Sequence, residues 1–195
     1  LTIELIKNHP YHYEIYAERS FEYNGISQTN RNKLLWRDLS VDGVKTGYTK
    51  KAGYCLVASA KRDGMRLVSV VLGTSSDQDR MKESQKLLSF GFRNYDTQLL
   101  YRAHSEITRL KVYYGKSDTV SIVAPTDVYV TAPRGDLESA VTELSVPKHL
   151  EAPINKNDVV GSLAVVLAGE TGVMHETKVL AADEVRETNL FGKVS

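Results

Sequence analysis

Val41-Asp42-Gly43-Val44-Lys45-Thr46-Gly47-Tyr48-Thr49 is the stretch on which the reading of this chain turns, followed at once by the loop Lys50-Lys51-Ala52-Gly53. It reads as a strand with a Lys-Thr-Gly triplet near its end. Lys45 offers a fixed ammonium, and Thr46 a hydroxyl able to donate to a carboxylate. Gly47 lacks a side chain, so an extended peptide could approach the strand edge and pair with its backbone. A bare Lys-Thr-Gly also fits a surface strand running into a turn, so its meaning depends on the neighbouring sequence.

Upstream stands Asn30-Arg31-Asn32-Lys33-Leu34-Leu35-Trp36. Downstream come Lys51-Ala52-Gly53-Tyr54, Leu56-Val57-Ala58-Ser59-Ala60, Met65-Arg66-Leu67, Gly91-Phe92-Arg93 and, near the end, Asn189-Leu190-Phe191-Gly192-Lys193. This ordered run resembles the D-alanyl-D-alanine carboxypeptidases, the low-molecular-mass penicillin-binding proteins of the 5/6 type, over essentially the whole chain. In that family the nucleophile lies in a Ser-x-x-Lys motif, followed by a Ser-x-Asn motif, both well before the Lys-Thr-Gly strand. Neither occurs ahead of Lys45 here. The Ser-x-x-Lys of this chain, Ser145-Val146-Pro147-Lys148, lies deep in the second half without a Ser-x-Asn, and Pro147 fixes φ and removes an amide. It reads as coincidence. The expectation is therefore a C-terminal portion that supplies one wall of an active site, with the nucleophile on a preceding part or a separate chain.

The resemblance implies a serine-type enzyme that removes the terminal D-alanine from peptidoglycan pentapeptide stems through an acyl-enzyme and is acylated by β-lactams. Lys45 would maintain the positive field, and Thr46 with Arg31 would hold the terminal carboxylate. Gly47 would let the peptide dock, and the strand backbone at Tyr48 would give an oxyanion donor. A guanidinium suits the carboxylate task because its fork donates two parallel hydrogen bonds. Arg80 matches a second family arginine near the site, although an arginine early in a helix is ordinarily solvated. No cofactor or metal is implied. Location would be periplasmic, on the outer face of the inner membrane, through an amphipathic helix following the Phe191-Gly192-Lys193 segment. Two other readings remain open at this point: a non-catalytic cell-wall scaffolding module, and a β-lactamase-related hydrolase.

Composition is that of an ordinary folded protein. Lys and Arg number 25 against 24 Asp and Glu, a net charge of +1 that argues against a nucleic-acid partner. No apolar run approaches the ~20 residues of a membrane-spanning helix. The single Cys55 cannot form an intrachain disulfide, and its apolar strand predicts a buried, inert thiol. His9 and His12 lack the further ligands a metal site needs.

The remaining sequence predicts an α+β fold: the C-terminal part of a β-lactamase/transpeptidase-like domain over 1–94, then an all-β sandwich over 95–195. Phe21 to Gln28 reads as a hairpin turning at Asn24-Gly25. A short helix is expected over Tyr11–Arg19 after Pro10, and a loop pinned by Leu34-Leu35-Trp36. Strands follow at Val41–Thr49, Tyr54–Lys61 and Met65–Gly73. The last is so uniformly apolar that it should be covered on both faces. Helical period marks Gln78–Tyr95 behind capping residues Thr74 to Asp77. Beyond it, strands are expected at Ile107–Tyr114, Thr119–Ala124, Asp127–Ala132, Ser139–Val146, Val159–Leu167 and Val173–Leu180, with a turn at Gly169-Glu170-Thr171-Gly172.

Overall fold

Asn24 and Gly25 both take positive φ, 51° and 74°, the pairing a type I′ turn requires. They join β1 (Ser20–Tyr23) to β2 (Ile26–Thr29) in the expected hairpin. The computed structural model describes residues 1–168 and 172–188. Residues 169–171 of the expected turn and the 189–193 segment lie outside the described residues. The chain divides into two units, Leu1–Asp96 and Thr97–Ser195.

In the first unit, α1 (Thr2–Asn8) precedes α2 (Pro10–Tyr13), which begins with Pro10 in its first turn. The helix expected over Tyr11–Arg19 is shorter: after Tyr13 it tightens into a 3₁₀ turn, Glu14–Ala17, and Glu18 is extended. Tyr13 alone in this segment is buried, so a longer helix would have no apolar face to pack. Leu34-Leu35-Trp36 is more ordered than expected. It lies in a single helical turn, α3 (Leu34–Arg37), with both leucines buried.

The meander β3 (Val41–Thr49), β4 (Gly53–Arg62) and β5 (Met65–Thr74) is antiparallel throughout, in the order β3-β4-β5. The long helix α4 (Asp77–Asn94) starts at Ser76, whose hydroxyl accepts from the Asp79 amide at 3.1 Å. It packs on one face of the sheet, where Leu34, Leu35, Val41, Leu56, Ala58, Ala60 and Leu88 form the core. Helix and sheet approach closely at Gly91, where a Cβ would stand 2.4 Å from Leu67 Cδ1. The expectation that β5 is covered on both faces fails. Leu67, Ser69 and Val71 share the α4 side with Leu56, Ala58 and Ala60, whereas Val68, Val70 and Leu72 alternate with them and are exposed, Val70 at 56% and Leu72 at 71%.

The second unit contains β6 (Tyr95–Tyr101), β7 (Glu106–Tyr113), β8 (Thr119–Val123), β9 (Val128–Pro133), a 3₁₀ turn (Leu137–Ser139), β10 (Ala140–Ser145), β11 (His149–Glu151), β12 (Val159–Leu167) and β13 (Val173–Ala181); β6 starts at the end of the first unit. One sheet runs β10-β12-β13-β8-β7-β11 and the other is the pair β6-β9. Alternation is regular: Val128, Val130 and Ala132 of β9 and Leu163, Val165 and Leu167 of β12 are buried. Residues from both sheets share one core that includes Ile122, Val130, Val165 and Val179, the arrangement of a sandwich. The α+β class with a β-sandwich domain is as the sequence predicts. The sequence reading missed β6 and β11; the latter is three residues long and pairs in parallel with β7.

Candidate active site

The beginning of β3 is fixed from two sides. Tyr13 of α2 donates its hydroxyl to Asp42 at 2.7 Å. Asp42 is also paired with Arg66 of β5, whose Nη1 donates in addition to Ser59 at 2.7 Å. Tyr13 lies so close that a Cβ at Gly43 would stand 2.8 Å from its hydroxyl oxygen, so only glycine fits there without displacement. Burial pushes the Tyr13 phenol up to about 12; the bond it donates to Asp42 adds to the shift, while the Ser59 hydrogen bond opposes it. From the other side, Asn32 is 1% exposed and donates through Nδ2 to the Gly43 carbonyl at 2.9 Å. Sequence reasoning identified none of Tyr13, Asn32, Asp42, Ser59 or Arg66 as contributors.

With the strand so placed, Lys45, Thr46, Gly47 and Tyr48 lie opposite Val57, Leu56, Cys55 and Tyr54 of β4, at the border of the sheet. Arg31, Thr46, Gly47, Tyr48 and Arg80 come together around a cavity of about 600 Å³, closed by Lys33, Tyr54 and Asp77. Lys45 lies in an adjoining hollow of about 300 Å³, which shares Asn30, Arg31 and Thr46 with the first. Its ammonium is exposed and donates to the Thr46 carbonyl at 2.7 Å. The six residues singled out in the sequence thus line two adjoining hollows. A hollow of about 530 Å³ on α4, lined by Lys82, Phe90 and Arg93, includes none of them.

Arg80 is not solvated. It is 6% exposed, and its Nη1 donates to the Gly47 carbonyl at 3.2 Å and reaches the Cys55 carbonyl at 3.5 Å. Its guanidinium carbon lies 5.4 Å from the centre of the Tyr54 ring, which packs against the Tyr48 ring at 4.4 Å between centroids, tilted by 37°. Gly47 contrasts with Gly43. A Cβ there would meet only Cys55 Cβ, at an ordinary 3.8 Å, so nothing in this chain's packing demands glycine at 47. Cys55 is half-buried rather than fully enclosed.

Charge across the cavity is mixed. Lys33 Nζ pairs with Asp77 at 2.5 Å, and its hydrogen bond holds the Asp77 carboxyl below the usual carboxylate range. Asp38, at the turn into β3, is also lowered. Burial works against its ionised form, but hydrogen bonds from the Ser40 hydroxyl and amide and from Arg62 outweigh that penalty. Ser145 closes β10 in the second unit and is exposed.

Residues 1–76 match the family described as D-alanyl-D-alanine carboxypeptidase, and residues 95–187 match the C-terminal domain of penicillin-binding protein 5. The D-alanyl-D-alanine carboxypeptidase DacA of Escherichia coli (strain K12) is 43% identical, over 97% of this chain and 47% of that protein. The crystal structure of penicillin binding protein 5 from Haemophilus influenzae superposes with a TM-score of 0.80 at 38% identity, covering 95% of this chain and 54% of the other. A peptidoglycan synthesis regulatory factor (PBP3) from Streptococcus pneumoniae superposes with a TM-score of 0.76 at 26% identity, covering 95% of this chain and 55% of the other. The chain spans about half the length of these relatives.

Proposed function

The chain belongs to the D-alanyl-D-alanine carboxypeptidase family, and from that membership we propose that it forms one wall of a serine-type carboxypeptidase site that trims the terminal D-alanine from peptidoglycan pentapeptide stems. The nucleophile belongs to the remainder of the complete protein. Its serine oxygen adds to the penultimate D-alanine carbonyl. The C–N bond then breaks, the terminal D-alanine leaves with a proton on its nitrogen, and water cleaves the resulting ester. A β-lactam acylates the same serine by opening its ring. Residues 1–94 act as the C-terminal part of the catalytic domain, and 95–195 as a spacer or interaction module in the periplasm.

The observation that carries this reading is the convergence of Arg31, Thr46, Gly47, Tyr48 and Arg80 on one cavity at the border strand. Arg31 and Thr46 receive the terminal carboxylate. The acyl-donor peptide lies along β3, and the open space outside Gly47 admits its backbone. The backbone at Tyr48 supplies an oxyanion donor. Lys45, in the adjoining hollow, supplies the ammonium whose field favours the developing negative charge. Arg80, already engaged with the Gly47 carbonyl, holds the strand and adds charge to the wall.

Incubation of the complete protein with a fluorescent penicillin, followed by peptide mapping, tests the reading. The label is expected on a serine outside residues 1–195. Absence of labelling, or a label on a serine within this chain, overturns it.

A further inference from the structure

The two asparagines on either side of Arg31 are engaged in opposite directions. Asn32, 1% exposed, donates from Nδ2 to the Gly43 carbonyl of β3 at 2.9 Å, and its Oδ1 accepts from the Leu34 amide at 3.2 Å. Asn30 donates from Nδ2 to the Glu18 carbonyl at 2.9 Å and the Tyr16 carbonyl at 3.3 Å, and its Oδ1 accepts from the Asn32 amide at 2.9 Å. Its own amide donates to the Arg19 carbonyl at 2.8 Å. The short loop between β2 and α3 is therefore tied to the 3₁₀ turn on one side and to the Lys-Thr-Gly strand on the other. Arg31 is the residue between the two ties, and it lines both hollows beside Thr46.

We propose that Asn30 and Asn32 form a positioning clamp that sets Arg31 in register with Thr46, so that the guanidinium and the hydroxyl meet one carboxylate together. This rests on the site reading given above. A guanidinium on a long side chain recognises a planar carboxylate only when its fork arrives at the right distance and tilt. The buried Asn32 amide transmits the position of β3 to that fork through a single backbone carbonyl. Asn32 acts on substrate through Arg31 and is a positioning residue.

The test is a double-mutant cycle in the complete enzyme. Asn32→Asp keeps the acceptor for Leu34 but replaces the donor to Gly43 with a repelling oxygen. Asn30→Ala releases the opposite side of the loop at a less buried position. Each is measured alone and with Arg31→Ala, by kcat and KM on a peptide ending in D-alanyl-D-alanine. Each single variant is expected to raise KM about tenfold or more with a smaller change in kcat, and to add nothing in the Arg31→Ala background. Losses that multiply with that of Arg31→Ala, or wild-type KM in both variants, overturn the clamp. Nitrogen-15 relaxation of the Arg31 Nε–H group reads the clamp without turnover. It should show greater motion in both variants, and unchanged relaxation overturns the proposal even if the peptide is not a substrate. Failure of the wild-type enzyme to turn the peptide over would instead count against the function proposed above.

Discussion

The two units solve the same problem differently. In the second, both sheets turn their alternating apolar rows inward, and Ile122, Val130, Val165 and Val179 meet in one enclosed core. In the first, α4 covers one face of β3-β4-β5, and the other face shows Val68, Val70 and Leu72 to solvent. The unit with the closed core carries none of the six residues singled out in the sequence, and the unit with the open face carries them all. The proposed site along an edge strand requires that strand to be left unpaired, and if the site is shared, the open apolar face is surface for its other half to cover.

Separation of the units is the strongest way to break this contrast. Residues 97–195 expressed alone should unfold cooperatively in urea, whereas 1–96 alone should show a broad transition and bind hydrophobic dyes. Cooperative unfolding of 1–96 would mean that its open face needs no cover. Next in size is Lys45→Ala. In the complete enzyme it should slow penicillin acylation by about 10²–10⁴-fold, as expected for loss of a fixed charge at the reaction centre. The denaturation midpoint should be unchanged, because the Lys45 side chain is exposed and its bond is to the adjacent Thr46 carbonyl. Acylation near the wild-type rate would remove Lys45 from the chemistry.

A pair of core and surface substitutions sharpens the comparison further. Ile122→Ala, at a fully buried position of the sandwich, should cost about 3 kcal/mol. Leu72→Ser should change the stability of this chain by less than about 0.5 kcal/mol, yet destabilise the complete protein if the β5 face is covered there. Equal effects in both contexts would show that the face stays open. The smallest expected effect is at high pH. Because the folded Tyr13 phenol titrates near 12 and an ordinary one near 10, its contribution is full below pH 10 and lost as pH rises towards 12. Denaturant midpoints followed across that interval should fall in the wild type, and the slope should flatten in Tyr13→Phe.

The sequence was legible where chemistry is local. Asn24-Gly25 permits few backbone conformations other than its turn, the capping run Thr74 to Asp77 marks the start of α4, and β9 and β12 fall close to the strands expected there. It was illegible where partners are distant or where a segment is too short for a period. The three residues of β11 find their partner across the sheet in β7. The single turn of α3 owes its order to two buried leucines. In β5, an apolar run implied cover on both faces, but only alternate residues meet α4. At the site, the Lys-Thr-Gly strand and Arg31 could be recognised from their neighbours in sequence. The burial of Arg80 against a β3 carbonyl could not, since its position early in a helix suggests solvent. Nor could the tie from Asn32 to Gly43, since asparagine is at home in any loop.

The β3-β4-β5 sheet ends in two unpaired borders among the described residues, and they differ in their exposure to self-association. The β3 border carries the Lys45 charge and a register shift between Val41 and Gly43, both of which discourage a second chain from adding in line. The β5 border has no ionisable side chain between Arg66 and its end at Thr74, and Val68, Val70 and Leu72 stand exposed along it. Such a strand is a template for its own copy. Concentrated preparations of this chain should therefore associate through β5 rather than β3, and a lysine at Val70 should act as a gatekeeper that keeps them dispersed.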